Sequence, residues 1–100
     1  MVSRNLNSKY LIISFSKDFY KFHYALTLAS SLRAIDKNVA VFISGYSCNF
    51  MKKKWKYYDK QNIYKKLEKK NMGSIKEIFS YCKELKVKIF YCETALQFFD

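Results

Sequence analysis

The sequence predicts an α/β domain in which a small parallel sheet lies between helices, three layers with flavodoxin-like layering. Three observations predict it. Short apolar runs alternate with longer stretches of helical periodicity, the sequence form of βαβ units joined by right-handed crossovers. The apolar runs are near-continuous, as in strands buried on both faces. The chain has 100 residues, of which 50% are hydrophobic and 19% aromatic, enough for one core and one domain.

The first strand is read at residues 9–15, Lys9-Tyr10-Leu11-Ile12-Ile13-Ser14-Phe15. Ser16-Lys17-Asp18 supplies turn and capping residues. Phe22, Ala25, Leu26, Ala29 and Leu32 then recur at i, i+3, i+4, i+7 and i+10, one face of an amphipathic helix. His23 falls on the polar side of that pattern, where a solvated ring is expected. Asp36-Lys37-Asn38 breaks the helix, with Asn38 expected as its left-handed cap. A second buried strand follows at residues 39–43, Gly45 ends it, and Tyr46-Ser47-Cys48-Asn49 is read as a loop.

Residues 52–70 carry nine lysines against Asp59 and Glu68, a net of +7 and most of the chain's +11. Trp55, Tyr57, Tyr58 and Tyr64 are interspersed among them, and Ile63 and Leu67 stand four apart, so the stretch is read as partly helical. Residues 52–71 thus form a Lys- and aromatic-rich insertion within a single domain spanning 1–100. Ser74 with Glu77 three residues on spells a capping box, the clearest helix start in the chain. Ile75, Ile78, Phe79, Cys82 and Leu85 repeat the apolar stripe, and Lys83 and Lys86 suit the negative end of the helix dipole. A third strand at residues 87–92 ends on Cys92, and another helix is expected from Thr94 to Asp100.

In a parallel sheet, ligands and chemistry collect at the C-terminal strand ends. The loops there are residues 14–18, 45–49 and 92–94, and two of the three carry a cysteine. Cys48, Cys82 and Cys92 are an odd count without a CxxC pair, and His23 is the sole histidine. Neither a zinc site nor a disulfide framework is expected, no cofactor is implied, and a reducing cytoplasm is the simplest compartment. No window is apolar enough to span a membrane, and the start of the chain lacks a signal-peptide cleavage pattern.

Cys82 lies on the apolar stripe of a capped helix and reads as core. Cys92 stands where strand end and helix start coincide. Backbone N–H groups and the helix dipole would favour its thiolate there, while Glu93 beside it works the other way. On its residues alone, packing is the simpler account of Cys92. Cys48 shares the same layer of loops and is a candidate resolving thiol. The basic charge suits nucleic acid, an anionic membrane or an acidic protein, and also the Lys-, Asn- and Ile-rich usage of an AT-rich genome. The insertion interleaves aromatic with basic residues as a single-strand nucleic-acid groove does, without an RNP, KH or helix-turn-helix signature.

The order of elements and several short motifs resemble the DsrE/DsrF-like family of small sulfur-transfer proteins, the DsrE2-like branch in particular. The resembling residues are Leu11-Ile12-Ile13-Ser14, Ala25-Leu26-Thr27-Leu28-Ala29, Val39-Ala40-Val41-Phe42 and Ser44-Gly45-Tyr46 with Met51-Lys52-Lys53. The most telling stretch runs from Lys69-Lys70-Asn71 through Ser74-Ile75-Lys76-Glu77 to Glu84-Leu85-Lys86-Val87-Lys88-Ile89-Phe90-Tyr91-Cys92-Glu93. The resemblance implies a DsrEFH-like α/β/α sheet and a cysteine that carries sulfane sulfur as a persulfide, a role that maps onto Cys92. Cys48, Ser14, Ser16, Gly45, Glu93 and Thr94 would border it. Lys52, Lys53, Lys54, Lys56, Lys65 and Lys66 would form a docking surface for an acidic carrier or a tRNA-modifying partner. Homo-oligomers, trimer or hexamer, and separate sulfur donor and acceptor proteins are implied as partners. Asp36 and Lys86 stand where the family usually has glycine, and Asp100 falls at least one strand short of its relatives' ends. Two alternatives stand beside this: a non-enzymatic module binding nucleic acid or protein through residues 52–70, and a structural oligomer subunit with a degenerate site.

Overall fold

The apolar runs and periodic stretches become strands and helices in the expected order. The computed structural model describes residues 9–93. Three strands, β1 (Lys9–Ser14), β2 (Asn38–Ile43) and β3 (Lys88–Tyr91), form one sheet in the order β1-β2-β3, and both pairings are parallel. The helices are α1 (Phe19–Ala34), α2 (Trp55–Tyr58), α3 (Ile63–Lys69) and α4 (Ile75–Glu84), with a 3₁₀-helical segment at Gly45–Met51. The architecture is the α/β class with a small parallel sheet, as the alternation of periods predicts.

Three of the four helices, α1, α3 and α4, begin where a side chain satisfies free N–H groups of the first turn. Asp18 caps α1, its carboxylate accepting from the Tyr20 N–H at 2.9 Å. At α4 the capping box forms as read: the Glu77 N–H donates to Ser74 Oγ at 3.2 Å, and the Ser74 N–H to Glu77 Oε1 at 3.4 Å. The cap of α3 was not foreseen. Asp59 is buried, with Oδ1 accepting from the Ile63 N–H (3.0 Å) and Oδ2 from the Tyr64 N–H (2.9 Å). Both carboxylate oxygens thus serve the short helix inside the basic insertion.

Three helices end in the same way. Asp36, Asn71 and Lys86 adopt positive φ (66°, 57° and 62°) just past α1, α3 and α4. In each case the next residue's N–H returns to a carbonyl five residues back: Lys37 to Leu32, Met72 to Leu67, and Val87 to Cys82. These are Schellman caps, which favour glycine at the left-handed position. The cap of α1 is therefore Asp36, and Asn38, expected in that role, is instead the first residue of β2. Lys86→Gly is expected to stabilise the domain by about 0.5–1 kcal/mol, the left-handed penalty of a side chain less the entropy glycine adds to the unfolded chain. A urea titration showing no gain would contradict this account of the cap.

The core lies between the sheet and the helices, around Phe22, Leu26, Ala29, Val41, Ile43, Phe50, Ile78 and Cys82. Register places Tyr10, Ile12 and Ser14 with Val39, Val41 and Ile43 on the side that α1 covers. Alternation puts Leu11 and Ile13 with Ala40 and Phe42, and Phe90 beside Phe42, on the opposite side. There Leu11, Ile13 and Phe90 remain 63%, 54% and 54% exposed. The expectation that the first strand is covered on both faces does not hold among the described residues. The helix expected from Thr94 to Asp100 lies outside them.

His23 corrects another expectation. It is buried beside the Phe19 ring, and its Nε2 lies 3.0 Å from the Gly73 carbonyl. That oxygen can only accept, so Nε2 carries the proton and ties α1 to the start of α4.

Candidate functional site at the C-terminal edge of the sheet

The three loops read as the functional edge meet there. The Ser44 N–H donates to the Ser14 carbonyl at 2.8 Å, and the Cys92 N–H to the Ile43 carbonyl at 2.9 Å, continuing the ladders past the strand ends. Gly45 then turns the chain at φ +54°, and a Cβ there would lie 3.1 Å from the Phe15 carbonyl oxygen. A side chain there would be strained in φ and would crowd that carbonyl, so glycine suits the crossing of β1. The following residues wind as a 3₁₀ helix, where a loop was expected, because Cys48 and Phe50 are drawn into the core while Ser47 bonds back to β1.

Ser47 was missed in the sequence. It is fully buried and donates to the Ser16 carbonyl at 2.7 Å. Its single proton is used there, so Ser14 donates across the 3.0 Å contact between the two hydroxyl oxygens. Ser16 Oγ accepts from the Asp18 N–H at 3.0 Å. Ser14 and Ser16 therefore hold the edge together, and their hydroxyls have defined structural partners.

Cys48 lies beneath Cys92. Its Sγ is 3.4 Å from the Ile43 carbonyl oxygen and 3.7 Å from that of Cys92. Burial pushes the Cys48 thiol above its ordinary value of 9.0; a backbone hydrogen bond with Cys92 and the charge of Lys52 oppose this, and Cys92 reinforces it. The thiol therefore stays protonated at neutral pH. As a nucleophile it is suppressed; its single S–H proton has the Ile43 carbonyl as the nearer acceptor. Cys82 is in the core as read, within 3.5 Å of the Leu26 carbonyl oxygen, and burial raises its pKa too.

Cys92 differs from both. Of the three free cysteines it alone is not fully buried. Its own N–H is engaged by Ile43, so any donor to its sulfur must come from elsewhere. Glu93 beside it is exposed, and Thr94 lies outside the described residues. One residue from Cys48, Asn49 is fully buried with neither side-chain polar atom hydrogen-bonded. An uncompensated buried amide costs about 1–3 kcal/mol.

The basic insertion packs on the domain through its rings. Trp55 stacks on Phe19 with centroids 5.2 Å apart and meets Tyr64 edge-on at 5.1 Å. Tyr46 donates from its hydroxyl to the Tyr58 carbonyl at 3.3 Å. Several lysines lie over these rings, with Lys56 Nζ 5.1 Å from the Tyr64 centroid and Lys60 Nζ 4.0 Å from that of Tyr57. Lys53, Lys54, Lys56, Lys65 and Lys66 are exposed and Lys52 is half-buried, so the predicted docking surface exists as a charged surface. Its aromatics, Tyr57 excepted at 70% exposure, are committed to packing.

A cleft of about 350 Å³ opens at the same edge, between the β1–α1 turn and the α2–α3 connection. Lys17, Asp18, Tyr46, Asp59 and Lys60 are among its walls, and neither Cys48 nor Cys92 is. Among the described residues no three His, Cys, Asp or Glu side chains gather as a metal site requires, and no helix is long and apolar enough to cross a membrane. No family model and no curated protein matches the chain.

Proposed function

We propose that the protein relays sulfane sulfur, carrying it as a persulfide on Cys92 and passing it to an acceptor thiol. The observation that carries this reading is the contrast among the cysteines. Cys48 and Cys82 are buried with raised pKa values, while Cys92 reaches the surface at the C-terminal edge of the sheet. The resemblance to DsrE/DsrF-like sulfur-transfer proteins around Lys86–Glu93 supports the same residue. So does the uncompensated Asn49 amide beside Cys48, since a buried polar group left unpaired suits a site kept for more than stability.

In the forward step the Cys92 thiolate attacks the outer sulfur of a donor persulfide. The donor S–S bond breaks and the donor leaves as a thiolate. In the second step an acceptor thiolate attacks the terminal sulfur of the Cys92 persulfide, and Cys92 is the leaving group. Both steps are displacements at sulfur with no net oxidation, so no cofactor enters. Cys48 stays protonated beneath the site, which keeps it from attacking the persulfide and trapping Cys92 as a disulfide. Donor and acceptor are separate proteins in this reading, an acidic one docking on Lys53, Lys54 and Lys56. Free thiols and thiolate chemistry suit the reducing cytoplasm, and the family's homo-oligomers suit the relay.

Incubation with a low-molecular-weight persulfide should add about 32 Da, one sulfur atom, to the intact protein. The adduct is expected to be retained in Cys48→Ala and Cys82→Ala and lost in Cys92→Ser. An unmodified wild-type protein, or an adduct that survives Cys92→Ser, would sink the proposal.

A further inference from the structure

Among the described residues, the side of the sheet away from α1 presents several exposed large apolar side chains. Strand register orders it in layers. Lys9 pairs with Asn38; Leu11 with Ala40 and Lys88; Ile13 with Phe42 and Phe90; Phe15 continues the alternation. Polar groups thus gather at the N-terminal end of this face, and branched and aromatic side chains at its centre and C-terminal end. Leu11, Ile13, Phe15 and Phe90 are 63%, 54%, 69% and 54% exposed. At up to about 200 Å² per large apolar side chain, they leave on the order of 500 Å² of apolar surface open, at the upper limit for a soluble monomer.

We infer that a second copy of this chain covers the face, sheet against sheet, about a two-fold axis running across the strands. Three features favour this occupant. Two such faces together bury about 1,000 Å², the lower bound for a specific interface. An axis across the strands runs the two sheets antiparallel, setting the Lys9 and Lys88 end of one copy over the Phe15 end of the other, so these lysines do not face one another. The Ile13–Phe42–Phe90 layer then packs on itself, β-branched and aromatic side chains interdigitating as in a two-sheet core. The chain's excess charge does not oppose this. Residues 52–70, with a net of +7, pack through α3 against α1, the helix on the other side of the sheet. The inference is independent of the chemistry of Cys92.

Sedimentation equilibrium of the full chain tests it. The wild type is expected to reach twice the 12.0 kDa chain mass at about 100 µM, the weak end expected of so small an interface. Ile13→Lys is expected to remain at 12.0 kDa with unchanged far-ultraviolet circular dichroism, because the side chain it replaces is already more than half exposed. Tyr81→Lys, on the exposed side of α4, should dimerise like the wild type. A monomeric wild type overturns the inference and leaves the face to residues 94–100 or to a different protein. A dimer unaffected by Ile13→Lys, or broken equally by Tyr81→Lys, overturns it as well.

Discussion

Phe50→Ala is expected to destabilise the domain by about 3–5 kcal/mol, the range for deleting a fully buried ring. Phe50 is 2% exposed and stands in the last turn of the 3₁₀ segment. Its ring meets Phe19 edge-on at 5.2 Å, Phe22 at 5.1 Å and Tyr46 at 5.9 Å. No neighbour can close the gap easily. Phe19 is pinned from the other side by Trp55, and Phe22 sits at the centre of α1's buried face. A chain of this length has a total stability of only about 5–15 kcal/mol. The melting temperature should fall by at least about 12 °C, taking the smallest shift per kcal/mol for a domain this size.

The same substitution reaches the candidate site. Phe50 is two residues from Cys48, and its anchoring keeps Cys48 sealed beneath the Cys92 carbonyl. In Phe50→Ala the Cys48 thiol should react with an alkylating reagent under native conditions, where in the wild type it is protected. A loss of under about 1 kcal/mol with Cys48 still protected would mean that the core closes over the gap, at odds with the rigidity argued from these rings.

The elements that were legible in the sequence are those governed by local chemistry. The α4 capping box formed between Ser74 and Glu77 because both groups lie within one turn of each other. The apolar stripe of α4 became its buried face, and the gathering of Cys48, Ser14 and Cys92 at one edge followed from three parallel strands. What was not legible depended on distant partners. His23 belongs to the polar side of the α1 pattern, yet the carbonyl of Gly73, fifty residues away, makes its burial tolerable. Asp59 stands among lysines and reads as a surface charge until α3 needs a cap.

The caps after α1 and α4 show a subtler limit. Asn is the more familiar left-handed residue, which favours Asn38 on sequence alone, but the end of a helix is set by where its last carbonyls can be met. The 6→1 bond from Lys37 to Leu32 puts the left-handed position at Asp36. Asp36 and Lys86 both adopt positive φ. At each the backbone takes a conformation that glycine adopts most easily, without a glycine residue.

Gly45→Val is expected to cost about 2–4 kcal/mol, combining the left-handed penalty for a side chain with local backbone strain. Two constraints coincide at this residue. Its φ is +54°, which a β-branched side chain adopts only under strain, and its Cβ would meet the Phe15 carbonyl oxygen at 3.1 Å and the Phe15 Cβ at 3.4 Å. Gly73 provides the control, because its φ is also positive, +90°, but an added Cβ would meet only the tip of the Ile78 side chain, at 3.4 Å. That atom can rotate away; a backbone carbonyl at the end of β1 cannot. Gly45→Val should therefore lower the urea midpoint more than Gly73→Val does, the difference being the steric share. It should also push the 3₁₀ segment off β1, stretching the Ser47 bond to the Ser16 carbonyl and exposing Cys48. If the two substitutions prove equally costly, backbone conformation alone accounts for both glycines, and the close crossing of Phe15 has no part in holding the edge that presents Cys92.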